Sequence, residues 1–256
     1  MAYFIETLKF RNETLFLFGG ICFTAAMLFL LLSKTTSVQV MGINAWIKPF
    51  KFSFSTFLFS WAMAWFCYYL PDFNISLYNW VVITMLGFEI IYIAIQAGRG
   101  QLSHFNRSSP IYAIMFSLMG LAATIVTLHT AYVGILFFSH DFPDLPDYYL
   151  WSIRLGIVIF VIFSLEGFVM GSRMTHTIGG VDGGEGLPIL NWSTKYGDPR
   201  IPHFIGMHAL QVLPLVSFYL LKNVTLTILL SLFYAGLAVF TLLRALEGRS
   251  LFKKNN

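Results

Sequence analysis

Apolar residues fill seven long segments of this chain, and short polar or glycine-rich stretches separate them. The segments run over about 14–33, 52–70, 78–98, 110–138, 149–172, 203–221 and 224–243, each near the ~20 residues that an α-helix needs to cross the hydrocarbon of a bilayer. The pattern predicts an all-α integral membrane protein, a single bundle of seven transmembrane helices occupying residues 1–256 as one domain. Met1–Glu13 is polar and the apolar run after it is long enough to span, so no cleavable signal peptide is expected. Pro202 suits the first turn of the sixth span, and Pro214 is expected to kink that span further along.

The connections between spans are uneven. Residues 35–50 read as an interfacial segment: Trp46 prefers the headgroup level, Lys48 can snorkel to it, and Pro49 follows. The stretch 177–202 is long for a bundle connection and rich in glycine. Its Leu187, Pro188, Ile189, Leu190 and Trp192 predict a lid folded back on the bundle. Lys and Arg set the orientation. Lys34, Lys48, Lys51, Arg99, Arg107, Arg173, Lys195, Arg200, Arg244, Arg249, Lys253 and Lys254 gather on one side, against Lys9, Arg11, Arg154, Lys222 and the acidic loop of Asp141, Asp144 and Asp147 on the other. The N-terminus is therefore expected outside and the C-terminus in the cytoplasm, in a membrane of the bacterial inner-membrane kind, with the lid and the site below it facing the cytoplasm.

Composition sharpens this. The chain is 57% hydrophobic and 11% charged, where a soluble domain carries roughly 25% charged residues, and its mean hydropathy is +0.72. A soluble fold is nearly excluded. The net charge of +4 is dispersed, with no basic arm or helix, which argues against nucleic-acid binding. Cys22 and Cys67 sit in apolar runs and form no metal or redox motif. No internal repeat is visible, which weighs against a transporter built from inverted repeats.

The candidate chemistry lies in ionisable residues that a bilayer anchor does not need. On the third span Glu89 and Gln96 are seven apart, nearly on one face, with Arg99 beyond them; on the fifth, Glu166 and Arg173 repeat that spacing, with His176 beyond. Each glutamate lies about 15 Å from the last basic group of its helix, near mid-membrane depth. On the sixth span His203 and His208 are five apart and point away from each other, while Gln211 shares the face of His208. These positions predict a funnel open to the cytoplasm with Arg99, His104, Arg173, His176, Arg200 and His203 at its mouth, Gln96, His208 and Gln211 on its wall, and Glu89 and Glu166 at its bottom. The plainer alternative pairs Glu89 with Arg99 and Glu166 with Arg173 as interhelical locks. His129 and His140 read as satisfied polar residues.

Four histidines beside carboxylates, with almost no cysteine, suit a metal ion such as Fe, Zn or Cu, or haem b iron. The expected ligands are His104, His176, His203 and His208, with Asp182 or Glu185 adding a carboxylate or acting as general base. Lys51, Arg99, Arg173 and Arg200, with Gln96 and Gln211, are expected to hold an anionic or polar group of a cofactor or substrate. The reading is a membrane-embedded metal- or haem-dependent oxidoreductase acting on a lipophilic or anionic small molecule or lipid, with Glu89, Glu166, Asp182 and Glu185 in the chemistry. The alternative is a proton- or cation-coupled transporter that uses Glu89 and Glu166. PHFIGMH has the spacing of the first histidine box of membrane desaturases, but the later boxes are missing, and the last span has no lysine for a retinal Schiff base.

Overall fold

The computed structural model describes residues 2–184 and 186–252. They form eight helices and one small hairpin: α1 (Ala2–Arg11), α2 (Glu13–Thr35), β1 (Gln39–Val40), β2 (Ile43–Asn44), α3 (Ile47–Cys67), α4 (Ile75–Gly98), α5 (Pro110–Ser139), α6 (Asp147–Arg173), α7 (Arg200–Val216) and α8 (Val224–Leu246). A π turn, Ser217–Leu221, prolongs α7. Among the described residues six helices are long and apolar enough to cross a membrane: α2, α4, α5, α6, α7 with its π turn, and α8.

The expected segments and these helices agree closely, with two differences. The second expected span, 52–70, is helical as far as Cys67, but α3 is not among the six. It starts earlier, inside the stretch read as interfacial, and so takes in Lys48 and Lys51 besides Ser53, Ser55, Thr56 and Ser60. The polar opening stretch is also a helix, α1, with Leu8 fully buried and Tyr3 and Phe10 exposed.

The helix starts follow from local chemistry. The side chains of Asn12, Asn74 and Asn223 accept the N–H groups of Leu15, Leu77 and Leu226, each at 3.0 Å, so three of the apolar helices open on an asparagine cap. Pro146 and Pro199 precede α6 and α7, where a missing N–H costs nothing. Within α7, Pro214 has no N–H for the preceding turn, and the ladder loosens to i→i+5 bonding three residues later before Lys222 ends it in the left-handed region at φ 46°.

The chain divides into two compact units, Met1–His129 and Thr130–Asn256, so the boundary falls within α5. In the first, α2 packs on α3, and Cys22, Phe29 and Ile90 form a core with Trp46, Phe50 and Phe57. The Arg11 guanidinium lies 3.8 Å from the Trp65 ring centre, between Tyr68 and Tyr69, which ties α1 to α3. Asn12 and Asn79 exchange amide hydrogen bonds of 2.9 Å in the interior.

In the second unit α6, α7 and α8 enclose Ile159, Phe163, Ala209, Leu213 and Ala238. Glycine sets the α6–α7 distance: a Cβ on Gly206 would lie 2.1 Å from the Phe163 side chain, and one on Gly156 3.1 Å from the Ala209 carbonyl oxygen. The Tyr234 hydroxyl donates to the Ile205 carbonyl at 2.7 Å and fixes α8 against α7.

Candidate functional site

The groups expected around one funnel belong to two units. Lys51, Glu89, Gln96, Arg99 and His104 lie in the first; Glu166, Arg173, His176, Asp182, Arg200, His203, His208 and Gln211 lie in the second. Glu185 falls outside the described residues.

In the first unit Glu89 is buried on α4 and meets the backbone of Ala123 on α5. Two turns on, the fully buried Gln96 donates from Nε2 to the Tyr92 hydroxyl and to the Leu102 carbonyl, each at 3.2 Å, while its Oε1 accepts nothing. The Leu102 carbonyl also accepts from Asn106, at 3.0 Å, so the loop after α4 is tied down from within. His104 stands in that loop among aromatic rings, edge-on to Phe52 at 5.4 Å and 6.0 Å from Phe116, with its Nδ1 3.2 Å from the Ser103 hydroxyl. Arg99 caps α4, and Lys51 lies one turn into α3.

In the second unit the histidines meet both backbone and side-chain oxygens. His203 directs Nδ1 at the Phe163 carbonyl, 2.7 Å away, and at Glu166 Oε2, 3.4 Å away. A carbonyl only accepts, so Nδ1 carries a proton and Nε2 is the nitrogen left for chemistry. Gly167 permits this approach, because a Cβ there would come within 3.2 Å of the imidazole. Glu166 is buried, and among the described residues nothing donates a hydrogen bond to either of its oxygens. The ionisable group beside it is therefore His203, not Arg173 at the end of α6. One turn deeper on α7, His208 pairs its Nδ1 with Gln211 Oε1 at 3.2 Å and takes the edge of Phe204 at 4.3 Å.

The stretch 177–202 pairs its two ends and packs on α8. Ile178 and Gly197 exchange backbone hydrogen bonds of 2.9 and 3.1 Å, and Gly197 packs so closely on Ala245 that a Cβ would fall 2.0 Å from its carbonyl oxygen. Asp198, with no exposed side-chain surface, takes Arg200 Nε at 2.8 Å, Arg200 Nη2 at 2.5 Å and the Ser193 N–H at 2.8 Å. Arg200 also reaches the Asn191 carbonyl. Arg200 is thus the strap of the lid, and Asp198, which carried no assigned role in the sequence, is its anchor. Trp192 sets its ring edge-on to Phe204, 5.4 Å away, and stacks on Phe252 at 6.4 Å.

At the start of the lid, Asp182 accepts the Thr175 hydroxyl at 2.6 Å and lies 3.3 Å from His176 Nδ1. Partial burial pushes this carboxyl up, but the hydroxyls of Thr175 and Thr177 and the imidazole and N–H of His176 together outweigh it and hold it below the usual carboxylate range. Among the described residues no three His, Cys, Asp or Glu side chains come close enough together to hold a metal ion. The histidines expected to converge stand as separate pairs: His176 with Asp182, His203 with Glu166, His208 with Gln211. The chain matches no known sequence family, no characterised protein and no solved structure.

Proposed function

We propose that this chain is an integral membrane protein with α3 as a seventh crossing, and that it is a proton- or cation-coupled transporter whose working pair is Glu166 and His203. One observation carries the reading: among the described residues both oxygens of Glu166 are buried without a hydrogen-bond donor, and Oε2 lies 3.4 Å from the Nδ1 of the His203 imidazole. A carboxylate buried without a donor is stable only with a proton or a positive charge beside it. An imidazolium, a proton and a small cation can each meet that need, and exchange among them is the elementary step of coupled transport. The basic residues that follow α6 and open α7 favour a cytoplasmic setting for the pair.

The test is proton uptake into proteoliposomes under an imposed potassium diffusion potential, read with an entrapped pH dye. Wild type takes up protons; Glu166→Gln and His203→Phe lose most of that uptake, and Glu89→Gln keeps it. Uptake that survives Glu166→Gln overturns the reading.

The metal- or haem-dependent enzyme is the second reading, acting on a lipophilic or anionic small molecule. It is favoured by the anchored Nδ1 atoms of His203 and His208, each facing an oxygen at 2.7 and 3.2 Å, since ligating histidines are oriented through their other ring nitrogen. A Soret band or stoichiometric metal in the purified protein would move this reading ahead.

A further inference from the structure

A groove of about 410 Å³ runs along the second unit between α5 and α6. Gly134 makes it deep, because a Cβ there would lie 2.8 Å from the Ile157 side chain. Its rims, Ile135, Phe138 and Ile162, are 62%, 47% and 57% exposed. From Ala131 to Ser139 the groove follows α5 for about 12 Å, most of the ~15 Å of hydrocarbon in one leaflet.

Its upper end is charged. Arg154 stands one helical turn from Val158 on α6, and its guanidinium lies 5.3 Å from the Phe138 ring centre and 5.4 Å from that of Trp151. Nε donates to the Phe137 carbonyl at 2.7 Å and Nη2 approaches the His140 carbonyl at 3.5 Å. Arg154 thereby caps α5, and a guanidinium has five N–H groups, so donors remain. The residues after His140 include Asp141, Asp144 and Asp147, all exposed. A second groove, on the α5 face formed by Ala113, Ile114, Ser117, Leu118 and Leu121, has no charged residue in its lining.

We propose that the α5–α6 groove seats one phosphatidylethanolamine molecule, with an acyl chain along Gly134, its phosphate on Arg154 and its ammonium among the aspartates of the following loop. Arginine beside exposed carboxylates matches a zwitterion that carries phosphate and a primary ammonium. A purely anionic headgroup gains the arginine but meets the aspartates, and a choline group has no N–H to give them. Trp151, one turn into α6, suits the headgroup level that tryptophan prefers. The site is independent of Glu166 and His203, so it stands or falls apart from the transport reading.

The test uses the full chain in detergent, with thermal unfolding followed after adding phosphatidylethanolamine, phosphatidylcholine or phosphatidylglycerol of the same acyl chains. Phosphatidylethanolamine should raise Tm by roughly 5 °C at a hundredfold excess over Kd, and the other two by much less. Arg154→Gln should abolish the difference. Val158→Phe, which fills the groove from its exposed edge and leaves the α5 cap intact, should abolish it as well. Asp141→Asn with Asp144→Asn should bring phosphatidylethanolamine down to the phosphatidylcholine value. Equal shifts from all three lipids, a larger shift from phosphatidylglycerol, or a wild-type dimer that Val158→Phe dissociates would each overturn the proposal.

Discussion

The two units place the same sequence device in different surroundings. Each has a glutamate inside an apolar helix with polar residues further along: Glu89, Gln96 and Arg99 on α4, Glu166 and Arg173 on α6. Glu89 meets a backbone segment of α5, and the polar group above it, Gln96, is fastened to Tyr92 and Leu102. Glu166 meets an imidazole, which can change its charge, and nothing donates to it. A carboxylate that faces backbone has one fixed neighbour, whereas one that faces histidine has a neighbour with two states. Depth in a membrane helix makes a carboxylate a candidate, and its neighbours decide its use.

The loops above the two glutamates differ in the same sense. The loop after α4 is short and held by Asn106 and Gln96. The lid is long and is held through carboxylates, Asp198 with Arg200 at one end and Asp182 with Thr175 and His176 at the other. The largest effect is therefore expected at Asp198. Asp198→Ala leaves Arg200 without its carboxylate and should cost about 3 kcal/mol, read as a fall in the unfolding midpoint and as faster hydrogen exchange across 177–197. Asn106→Ala, its counterpart in the first unit, removes neutral hydrogen bonds and should cost about 1 kcal/mol. Equal losses would break the contrast.

Helix packing gives the next test. Gly206→Ala drives a methyl into Phe163 and should cost about 2 kcal/mol. It should also reduce proton uptake, because the α6–α7 spacing sets the His203–Glu166 distance. Gly87→Ala, two residues before Glu89, meets only Phe18 at 3.9 Å and should gain up to about 1 kcal/mol of helix propensity. Chemical denaturation of both variants, beside their uptake rates, checks the pair.

Acidity is expected to loosen the lid through Asp182. The folded Asp182 carboxyl is held below its ordinary value, so its contribution to stability is fully present above the unfolded value of about 3.9 and is lost as pH falls through the lower folded value. Hydrogen exchange at 177–197, corrected for its intrinsic pH dependence, should stay slow from neutral pH down to about 4 and rise only below it. Asp182→Asn should remove that rise. A rise near neutral pH in wild type would mean that the latch answers to His176 instead of the carboxyl.

Much of this was legible in the sequence. Runs of Leu, Ile, Phe and Val bounded by Asn and Pro mark the apolar helices within a few residues, because length and hydropathy are properties of the segment itself. The seven-residue spacings pick out Glu89 and Glu166 for the same reason. The partners were not legible. That Glu166 takes His203 depends on the close α6–α7 approach set by Gly206 and Gly156, a tertiary fact that no local period encodes. The DPR of Asp198–Arg200 could have signalled a strap, since a carboxylate two residues before an arginine at a helix start can fold back onto it. α1 was missed because a ten-residue helix lacks the length that gives periodicity its weight.

The smallest expected effect is the sharpest test of which unit does the work. His104 was grouped with His176, His203 and His208 as a ligand, yet its ring lies against Phe52, Phe105 and Phe116 in the first unit. Phenylalanine there keeps the aromatic contacts and nearly the volume, and gives up the contact with Ser103. His104→Phe should therefore change stability by about 1 kcal/mol or less and leave proton uptake at the wild-type rate. His203→Phe makes the same chemical change where Nδ1 faces the Phe163 carbonyl and lies 3.4 Å from Glu166, and it should stop most of the uptake. If His104→Phe slows uptake as much as His203→Phe does, the first unit shares the chemistry and the contrast between the two glutamates fails.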